Sequence, residues 1–376
     1  MAILMREPTV LLLDEPTNDL DIETLKWLEQ FINSWKYIVL YVSHDETLIE
    51  NTANIIIHLE MLTRKTKCKY TVAVSNFKQY AEERIYRFER QRQQALNDRR
   101  EKCIRDDKLR RINQKVELTQ NKTKDSSAGR LLKKKMHVVK SMERRFEKED
   151  ESMTLMPKRE KAIDFRLATP QTEIPSGKVI LDYTLDTLYS ADGERVLAKD
   201  IKLNLRGCEK ICIIGNNGTG KTTLLKKITT ELLPRKDITA AYIPQNYDDV
   251  LNQDITPIAY LQKTGSGEER EKIRTYLGAL RYTTEEMSHP ASELSGGQKA
   301  KLLLLKIIFS NANVIILDEP TRNVSPLSAP VIRKFFIDFP GAIISVSHDR
   351  KYIEEVCDKV YELTPDGVKE ILELGY

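Results

Sequence analysis

Residues 215–222 read Gly-Asn-Asn-Gly-Thr-Gly-Lys-Thr, a spacing of glycines and lysine that suits the binding of phosphate groups. The motif follows an apolar run, Lys210–Ile214, and precedes a helix predicted to begin at Lys221, the context that such a motif requires. Glycines let consecutive backbone N–H groups surround an anion, and the helix N-terminus adds a favourable dipole. The predicted triphosphate-binding residues are Gly215, Asn216, Asn217, Gly218, Thr219, Gly220, Lys221, Thr222 and Thr223.

Four side chains are predicted to carry the chemistry beside this loop. Lys221 is expected to contact the β and γ phosphates, and the Thr222 hydroxyl to hold Mg²⁺. Asp318 and Glu319 end an apolar strand, Val314–Leu317. Asp318 suits the Mg²⁺ ligand shell, and Glu319 suits orienting or deprotonating an attacking water molecule.

Two further polar residues follow apolar strands and are expected at the same sheet edge. His348 follows Ala342–Val346, and we predict that it contacts the γ phosphate. Gln245 follows Ala241–Pro244 and could hold the metal ion and the nucleophilic water. Both are assigned to catalysis, although a lone histidine at a strand end could also be structural.

Tyr189 lies 26 residues before Gly215 and could stack on a nucleotide base. Tyr183 competes for that role, and either tyrosine could instead be a core residue. A second anion-binding helix start is predicted where a helix follows Ser295. Its residues, Ser295, Gly296, Gly297 and Gln298, make sense as a lid over nucleotide that another unit holds.

The downstream motifs occur twice, but the phosphate loop occurs once. Asp14 and Glu15 precede His44 in the first copy as Asp318 and Glu319 precede His348 in the second, with 30 residues from Asp to His in both. Residues 1–128 contain no glycine. We therefore interpret the chain as a duplicated nucleotide-binding unit whose first copy lacks its front part, with Asp14, Glu15 and His44 as the remaining site residues.

Three segments are predicted. Residues 1–75 carry the strand–helix–strand pattern of a parallel α/β sheet and are interpreted as the C-terminal remnant of the first unit. Residues 76–166 are predicted to be a basic helical hairpin, with one helix over about 77–118 and another over about 130–151. Residues 167–376 are predicted to form a complete α/β unit.

Composition narrows the classes of protein further. The net charge of +4 conceals a basic middle, because residues 81–160 carry 24 Lys and Arg against 15 Asp and Glu. This excess favours an anionic partner, although a solvated spacer is equally compatible with it. No apolar run approaches the 18 residues of a membrane span, and five scattered cysteines without a disulfide pattern fit a reducing compartment.

The order of these motifs resembles the ATP-binding cassette (ABC) family: phosphate loop, Gln245, Leu294-Ser-Gly-Gly-Gln298, Asp318-Glu-Pro-Thr321 and Ser347-His-Asp349. Two motif sets joined by a charged helical linker resemble its ABC-F branch, and the long linker resembles the antibiotic-resistance type, the ribosomal protection proteins. The resemblance implies P-loop ABC-type domains joined by a helical-hairpin linker, ATP and Mg²⁺ as cofactors, and ATP hydrolysis. It also implies a cytoplasmic location and the ribosome as partner, with the linker contacting ribosomal RNA and P-site transfer RNA. A housekeeping translation factor of this branch and the ATPase component of a transporter are the alternatives.

Two departures from the family pattern lead to further expectations. Arg322-Asn-Val-Ser325 replaces the Leu-Asp pair that the first copy has at Leu20-Asp21, so communication between sites is expected to be altered. In the family, each ATP lies between one phosphate loop and the other unit's Ser-Gly-Gly lid. Neither sandwich can be completed within this sequence, so we expect weak turnover in the monomer. Two chains could pair as a homodimer, each loop meeting the other's Ser295–Gln298 lid.

Overall fold

The computed structural model describes residues 8–62, 67–122, 126–151, 153–154, 174–251, 254–280, 282–322 and 324–371. The chain divides into two compact units, Met1–Ile55 with Glu160–Tyr376, and Ile56–Arg159. Within the first unit we distinguish the N-terminal segment (residues 8–55) from the main domain (residues 174–371). The second is termed the hairpin unit (residues 56–154).

In chain order the strands are β1 (Val10–Asp14), β2 (Ile38–Val42), β3 (Ile56–Leu62), β4 (Lys67–Ala73), β5 (Val179–Tyr189), β6 (Val196–Arg206), β7 (Lys210–Ile214), β8 (Ala240–Ile243), β9 (Val314–Asp318), β10 (Ala342–Val346), β11 (Lys359–Thr364) and β12 (Gly367–Ile371). The α-helices are α1 (Ile22–Ser34), α2 (Glu46–Thr52), α3 (Phe77–Lys122), α4 (Ser126–Glu151), α5 (Lys221–Leu232), α6 (Asp248–Leu251), α7 (Pro257–Leu261), α8 (Gly267–Ala279), α9 (Thr284–Ser288), α10 (Gly296–Ser310), α11 (Ala329–Asp338) and α12 (Arg350–Val356). A 3₁₀ turn covers Ala291–Glu293.

The main domain is built on a six-stranded sheet in the order β12-β11-β7-β10-β9-β8. The strands run parallel, except that β12 is antiparallel to β11. Strands β5 and β6 form a separate antiparallel pair. Because β7, β9 and β10 are adjacent and parallel, their C-terminal ends meet at one sheet edge. The predicted α/β class is confirmed.

Alternate residues of the central strands supply two apolar cores. Ile211, Ile213 and Ile316 pack with α5 and with the β5–β6 pair. Ile315 and Leu317 pack with α10 and α11. Because successive strand residues face opposite sides of a sheet, the sheet is covered on both faces, which is why β9 and β10 are buried along their whole length.

The N-terminal segment repeats part of this arrangement. Strand β1 pairs parallel with β2, and α1 and α2 pack on one face around Leu28, Ile32 and Leu48. Asp21 caps α1 by accepting a hydrogen bond from the backbone N–H of Thr24 at 3.0 Å. This cap marks the start of α1, the helix of the predicted strand–helix–strand pattern.

Buried ion pairs hold the N-terminal segment against the main domain. Glu46 accepts hydrogen bonds from Arg333 at 2.7 Å and from Lys351 at 2.8 Å. Glu29 pairs with Arg350, whose side chain is almost inaccessible to solvent. A buried charge without a partner is costly, so these pairs tie the two parts of the unit together.

The hairpin unit combines the antiparallel pair β3–β4 with two helices. At 1.5 Å per residue, the 46 residues of α3 extend over about 70 Å. Helices α3 and α4 are joined by Lys102–Asp150 at 2.5 Å and Arg105–Asp150 at 3.1 Å. The segment between the two helices is shorter than predicted, because α3 ends at Lys122, beyond the predicted 118, and α4 begins at Ser126, before the predicted 130. Serine is favourable at a helix start. In the described parts of the chain, no helix combines the length and apolar character needed to cross a membrane.

Candidate functional site

The phosphate loop is shaped by glycines that a side chain could not replace. Gly215 has φ +145°, and an added Cβ would lie 2.6 Å from the Leu363 carbonyl oxygen. Gly220 precedes α5 with φ +97°, and its added Cβ would lie 2.8 Å from a Leu197 methyl group. Gly218, at φ +80°, has open space where a Cβ would be. The loop therefore turns directly from β7 into the first turn of α5, where unpaired backbone N–H groups can receive an anion.

Lys221 folds back over this loop. Its Nζ donates to the carbonyl oxygens of Gly215 at 2.8 Å and Asn216 at 2.9 Å, and the side chain is buried. Burial lowers the Lys221 pKa, while the charges of Glu319, Asp21 and Asp318 act in the opposite direction. The ammonium group is thus held inside the loop, where phosphate oxygens could replace the backbone carbonyls as acceptors.

Asp318 and Thr222 provide a donor set that fits Mg²⁺. Asp318 is 1% exposed, and its Oδ1 lies 3.4 Å from the Thr222 hydroxyl. Its Oδ2 is buried and has no hydrogen-bond partner among the described residues. Burial raises the pKa of Asp318, and the Thr222 hydroxyl partly offsets this shift. A buried carboxylate oxygen without a partner, beside a hydroxyl group, is what a hard divalent cation would satisfy.

Glu319 and His348 form a close pair at the same edge. Glu319 adopts φ +51°, and its backbone N–H donates to the Val346 carbonyl at 2.9 Å. Its carboxylate accepts from the His348 backbone N–H at 3.3 Å and lies 3.7 Å from His348 Nε2. Burial raises the Glu319 pKa to about 8, while burial and then the Lys221 charge lower the His348 pKa to about 4. At neutral pH both side chains are therefore largely uncharged. The pKa of the Glu319 carboxyl group lies close to neutral pH, the range that suits a general base.

The N-terminal segment reproduces this local geometry. Glu15 also has a positive φ, 43°, and its N–H donates to the Val42 carbonyl at 2.9 Å. Its carboxylate accepts from the His44 backbone N–H at 3.2 Å and lies 3.2 Å from His44 Nε2. Asp14 ends β1 as Asp318 ends β9. The repeated motif therefore has a repeated structure.

A cavity of about 410 Å³ brings the predicted residues together. From the main domain it is lined by Gly218, Gly220, Lys221, Thr222, Thr223, Gln245, Asp318, Glu319 and His348. The N-terminal segment contributes residues 17–20, His44 and Asp45. Ser190, Ala191 and Leu197 also line the cavity and were missed from the sequence, because they carry no motif. Arg322, noted in the sequence only as a departure from the family pattern, lines it as well. Gly215, Asn216 and Thr219 complete the loop beside it.

The loop at residues 17–21 contacts the phosphate loop directly. Asn217 donates its backbone N–H to Asp21 at 3.4 Å and its side-chain amide to the Asp19 carbonyl. Arg322 forms an ion pair with Asp19 at 2.9 Å. The arginine that departs from the family pattern thus links the two parts of the unit at the cavity.

Two predicted groups lie elsewhere. Gln298 caps the start of α10 through its Oε1, which accepts from the Ser295 N–H at 3.0 Å and hydroxyl at 2.9 Å. Tyr282 donates to the Gln298 carbonyl at 2.5 Å. Residues 295–298 are described and do not line this cavity. Tyr189 is half-exposed at the end of β5 and also lies outside the lining, so its role in base stacking stays a prediction.

Taken together, the loop, the buried acids and the sheet order define a P-loop nucleotide-binding domain. The family described as ABC transporter matches residues 198–322, within the main domain, and the predicted P-loop, ABC-type fold of this domain is confirmed.

Comparison with known proteins extends the likeness beyond that domain. The chain is 28% identical over 359 residues to "Probable ATP-binding protein YheS" of Escherichia coli K12, covering 94% of this chain and 52% of that protein. It is 27% identical to "ABC transporter F family member 5" of Arabidopsis thaliana, covering 98% of this chain and 50% of that protein. The chain thus spans about half the length of these curated relatives. The structure titled "Model of ribosome-bound archaeal Pelota and ABCE1" shares the fold, with a TM-score of 0.51, 15% identity, and coverage of 98% of this chain and 53% of that one.

Proposed function

We propose that the protein is an ABC-F-type ATPase that acts on the ribosome in the cytoplasm, protecting it from antibiotics bound near the peptidyl-transferase centre. The observation that carries the proposal is the presence, in one chain, of an ABC-type nucleotide site and a charged hairpin of two long helices. We assign residues 1–75 to the C-terminal part of a first nucleotide-binding domain, residues 76–166 to the helical linker and residues 167–376 to a second nucleotide-binding domain. The named F-family relative and the ribosome-bound protein of like fold support this assignment.

The side chains of the main domain would act as follows. The backbone N–H groups of residues 215–222 and Lys221 bind the phosphates of ATP, and Thr222 with Asp318 hold Mg²⁺, which neutralises charge on the phosphate oxygens. Gln245 and His348 line the same cavity. Gln245 would contact the metal ion and the attacking water, and His348 would contact the γ phosphate. Glu319 orients the attacking water and takes its proton.

The hairpin unit would supply the contact with RNA. Residues 115–145 contain ten Lys and Arg against three Asp and Glu, and aromatic residues are few. Base stacking is therefore not the main mode, and phosphate contacts should dominate, as in shape-based RNA recognition. Ribosomal RNA and P-site transfer RNA are the proposed partners.

Ribosome binding in the presence of Mg-ATP tests this proposal. Glu319→Gln should slow hydrolysis and retain nucleotide, so the variant should sediment with ribosomes in ATP and be released when ATP is withheld. Replacing Lys133, Lys134 and Lys135 by Glu should weaken ribosome binding. The slope of the logarithm of the binding constant against the logarithm of salt concentration should become shallower by on the order of two to three. The matched control replaces exposed Lys227, Lys236 and Lys272 of the main domain by Glu and should leave binding unchanged.

The outcomes separate the alternatives. Recovery with membranes and not with ribosomes would favour the ATPase component of a transporter. Ribosome binding without any change in antibiotic susceptibility of cells that express the protein would favour a housekeeping translation factor. Equal loss of binding in both lysine variants would remove the hairpin from the proposal.

A further inference from the structure

Arg322 is a second basic side chain in the cavity of the nucleotide site. Among the described residues that line this cavity, Lys221 and Arg322 are the lysine and arginine side chains. Five carboxyl groups line it as well, those of Asp19, Asp45, Asp318, Glu319 and Asp349. A polyphosphate in the cavity would therefore meet more carboxyl groups than basic side chains, so the position of each basic side chain matters to its binding.

A tight turn holds Arg322 beside the acidic residues at the end of β9. The Arg322 backbone N–H donates to the Glu319 carbonyl, three residues earlier, at 3.3 Å. Such a turn keeps the Cα atoms of its first and last residues within about 7 Å of each other. Burial raises the pKa of Asp318, and the Arg322 charge is among the groups that act in the opposite direction. Arg322 thus lies on the side of the cavity where Asp318 and Thr222 would hold Mg²⁺.

The internal repeat shows that this turn does not require arginine. An offset of 304 residues relates Asp14 to Asp318, and at the same offset Arg322 corresponds to Asn18. Asn18 forms the same turn, since its backbone N–H donates to the Glu15 carbonyl at 3.1 Å. The local fold therefore does not account for the positive charge of Arg322.

The partner of Arg322 in the structure is an exposed carboxylate. The guanidinium group forms an ion pair with Asp19 at 2.9 Å, and the two side chains are 30% and 69% exposed. An ion pair with this exposure is weak, because water screens both charges. The guanidinium group can therefore leave Asp19 at little cost when a more highly charged acceptor enters the cavity.

The terminal phosphate of a nucleotide is such an acceptor. It carries more charge than a carboxylate, and its oxygens match the fork of N–H donors on a guanidinium group. We propose that Arg322 exchanges Asp19 for the terminal phosphate of a bound nucleoside triphosphate, and that this contact makes the site prefer the triphosphate to the diphosphate. The inference rests on the proposed nucleotide site and assigns its selectivity to a residue outside the phosphate loop.

A purely structural ion pair would behave differently. If Arg322 and Asp19 only tied residues 17–21 to the main domain, the loss of either side chain should change nucleotide binding in the same direction. If Asp19 competes with the phosphate for Arg322, the two losses have opposite signs. Removing the arginine should weaken triphosphate binding, and removing the Asp19 charge should strengthen it.

The test is equilibrium binding of Mg-ATP and Mg-ADP to the full chain. Arg322→Asn should weaken Mg-ATP binding by about tenfold or more, because a charge-assisted contact is lost, and should change Mg-ADP binding by less than about twofold. Asp19→Asn should strengthen Mg-ATP binding by about two- to fivefold. In the Arg322→Asn background, Asp19→Asn should change either affinity by less than about twofold, because no guanidinium group remains to be released.

The variants are chosen to keep the fold. Asparagine already occupies the matching turn at residue 18, and it tolerates the φ of +58° that Asp19 adopts. Retained Mg-ADP binding shows that a variant is folded. The control, Arg274→Gln, changes an exposed arginine of α8 that does not line the cavity, and it should alter neither affinity.

Phosphorus NMR of bound Mg-ATP locates the contact. Arg322→Asn should move the resonance of the γ phosphate more than that of the α phosphate. Equal changes for both nucleotides in Arg322→Asn, weaker Mg-ATP binding in Asp19→Asn, or an unmoved γ resonance overturns the inference and leaves the nucleotide site in place. Failure of the wild-type chain to bind either nucleotide overturns the proposed site and this inference together.

Discussion

Glu46→Gln should release the N-terminal segment from the main domain. Glu46 bridges Arg333 and Lys351, and the Arg333 side chain is 3% exposed. The glutamine side chain has nearly the same shape but carries no charge. Arg333 would keep its ion pair with Glu355 at 2.7 Å, whereas Lys351 would keep Glu50 at 2.6 Å. The substitution therefore removes the negative charge that Arg333 and Lys351 share, and it leaves no cavity.

The magnitude follows from burial. Breaking a buried ion pair by removing one partner costs about 3–5 kcal/mol when the remaining charge is left alone. Both cations here retain a second acceptor, so we expect about 2–3 kcal/mol. The double substitution Glu46→Leu with Arg333→Met should restore part of the lost stability, because it removes both buried charges. The coupling energy between the two positions should be about 1–3 kcal/mol.

Tryptophan fluorescence isolates this event. The two tryptophans of the chain, Trp27 and Trp35, both belong to the N-terminal segment. Urea titration followed by their emission should show a transition at lower urea in the variant, while Mg-ATP retention by the main domain is kept. Glu23→Gln, on the exposed side of α1, is the control and should cost less than about 1 kcal/mol. An unchanged transition in Glu46→Gln would falsify the view that these ion pairs hold the segment in place.

Three other predictions concern the nucleotide site. Lys221→Ala should weaken Mg-ATP binding by about 10- to 100-fold in equilibrium binding, because a charge-assisted contact to phosphate is lost. Gly215→Ala should destabilise the main domain by about 2 kcal/mol or more in chemical unfolding, since its Cβ meets the Leu363 carbonyl. In metal-free protein, the folded state holds the Glu319 proton to about pH 8 whereas the unfolded chain releases it near 4.5, so this residue's contribution to stability falls as pH rises through that window. Between pH 6.5 and 8, Glu319→Gln should therefore gain about 1.5 kcal/mol relative to wild type in urea unfolding.

Local chemistry accounts for what could be predicted at the site. The bounds of β7 and the start of α5 follow from an apolar run, glycines and a lysine within twelve residues. By contrast, the apolar residues within Val179–Asp182 and Lys202–Leu205 indicate only two short strands, whereas β5 and β6 extend over eleven residues each. The added residues 185–189 and 196–201 pair with each other across the hairpin that residues 190–195 close, and this cross-strand pairing extends both strands beyond their apolar runs.

Taken alone, the sequence determined the phosphate loop, the order of its acidic and histidine partners and the duplication, because each depends on residue type and spacing along a short stretch. Tertiary structure alone decided that residues 17–21 reach the phosphate loop and that Arg322 pairs with Asp19. Those facts depend on which surfaces meet across nearly 200 residues of chain or more. Such contacts are set by the summed packing of whole elements, and no local pattern of residues encodes them.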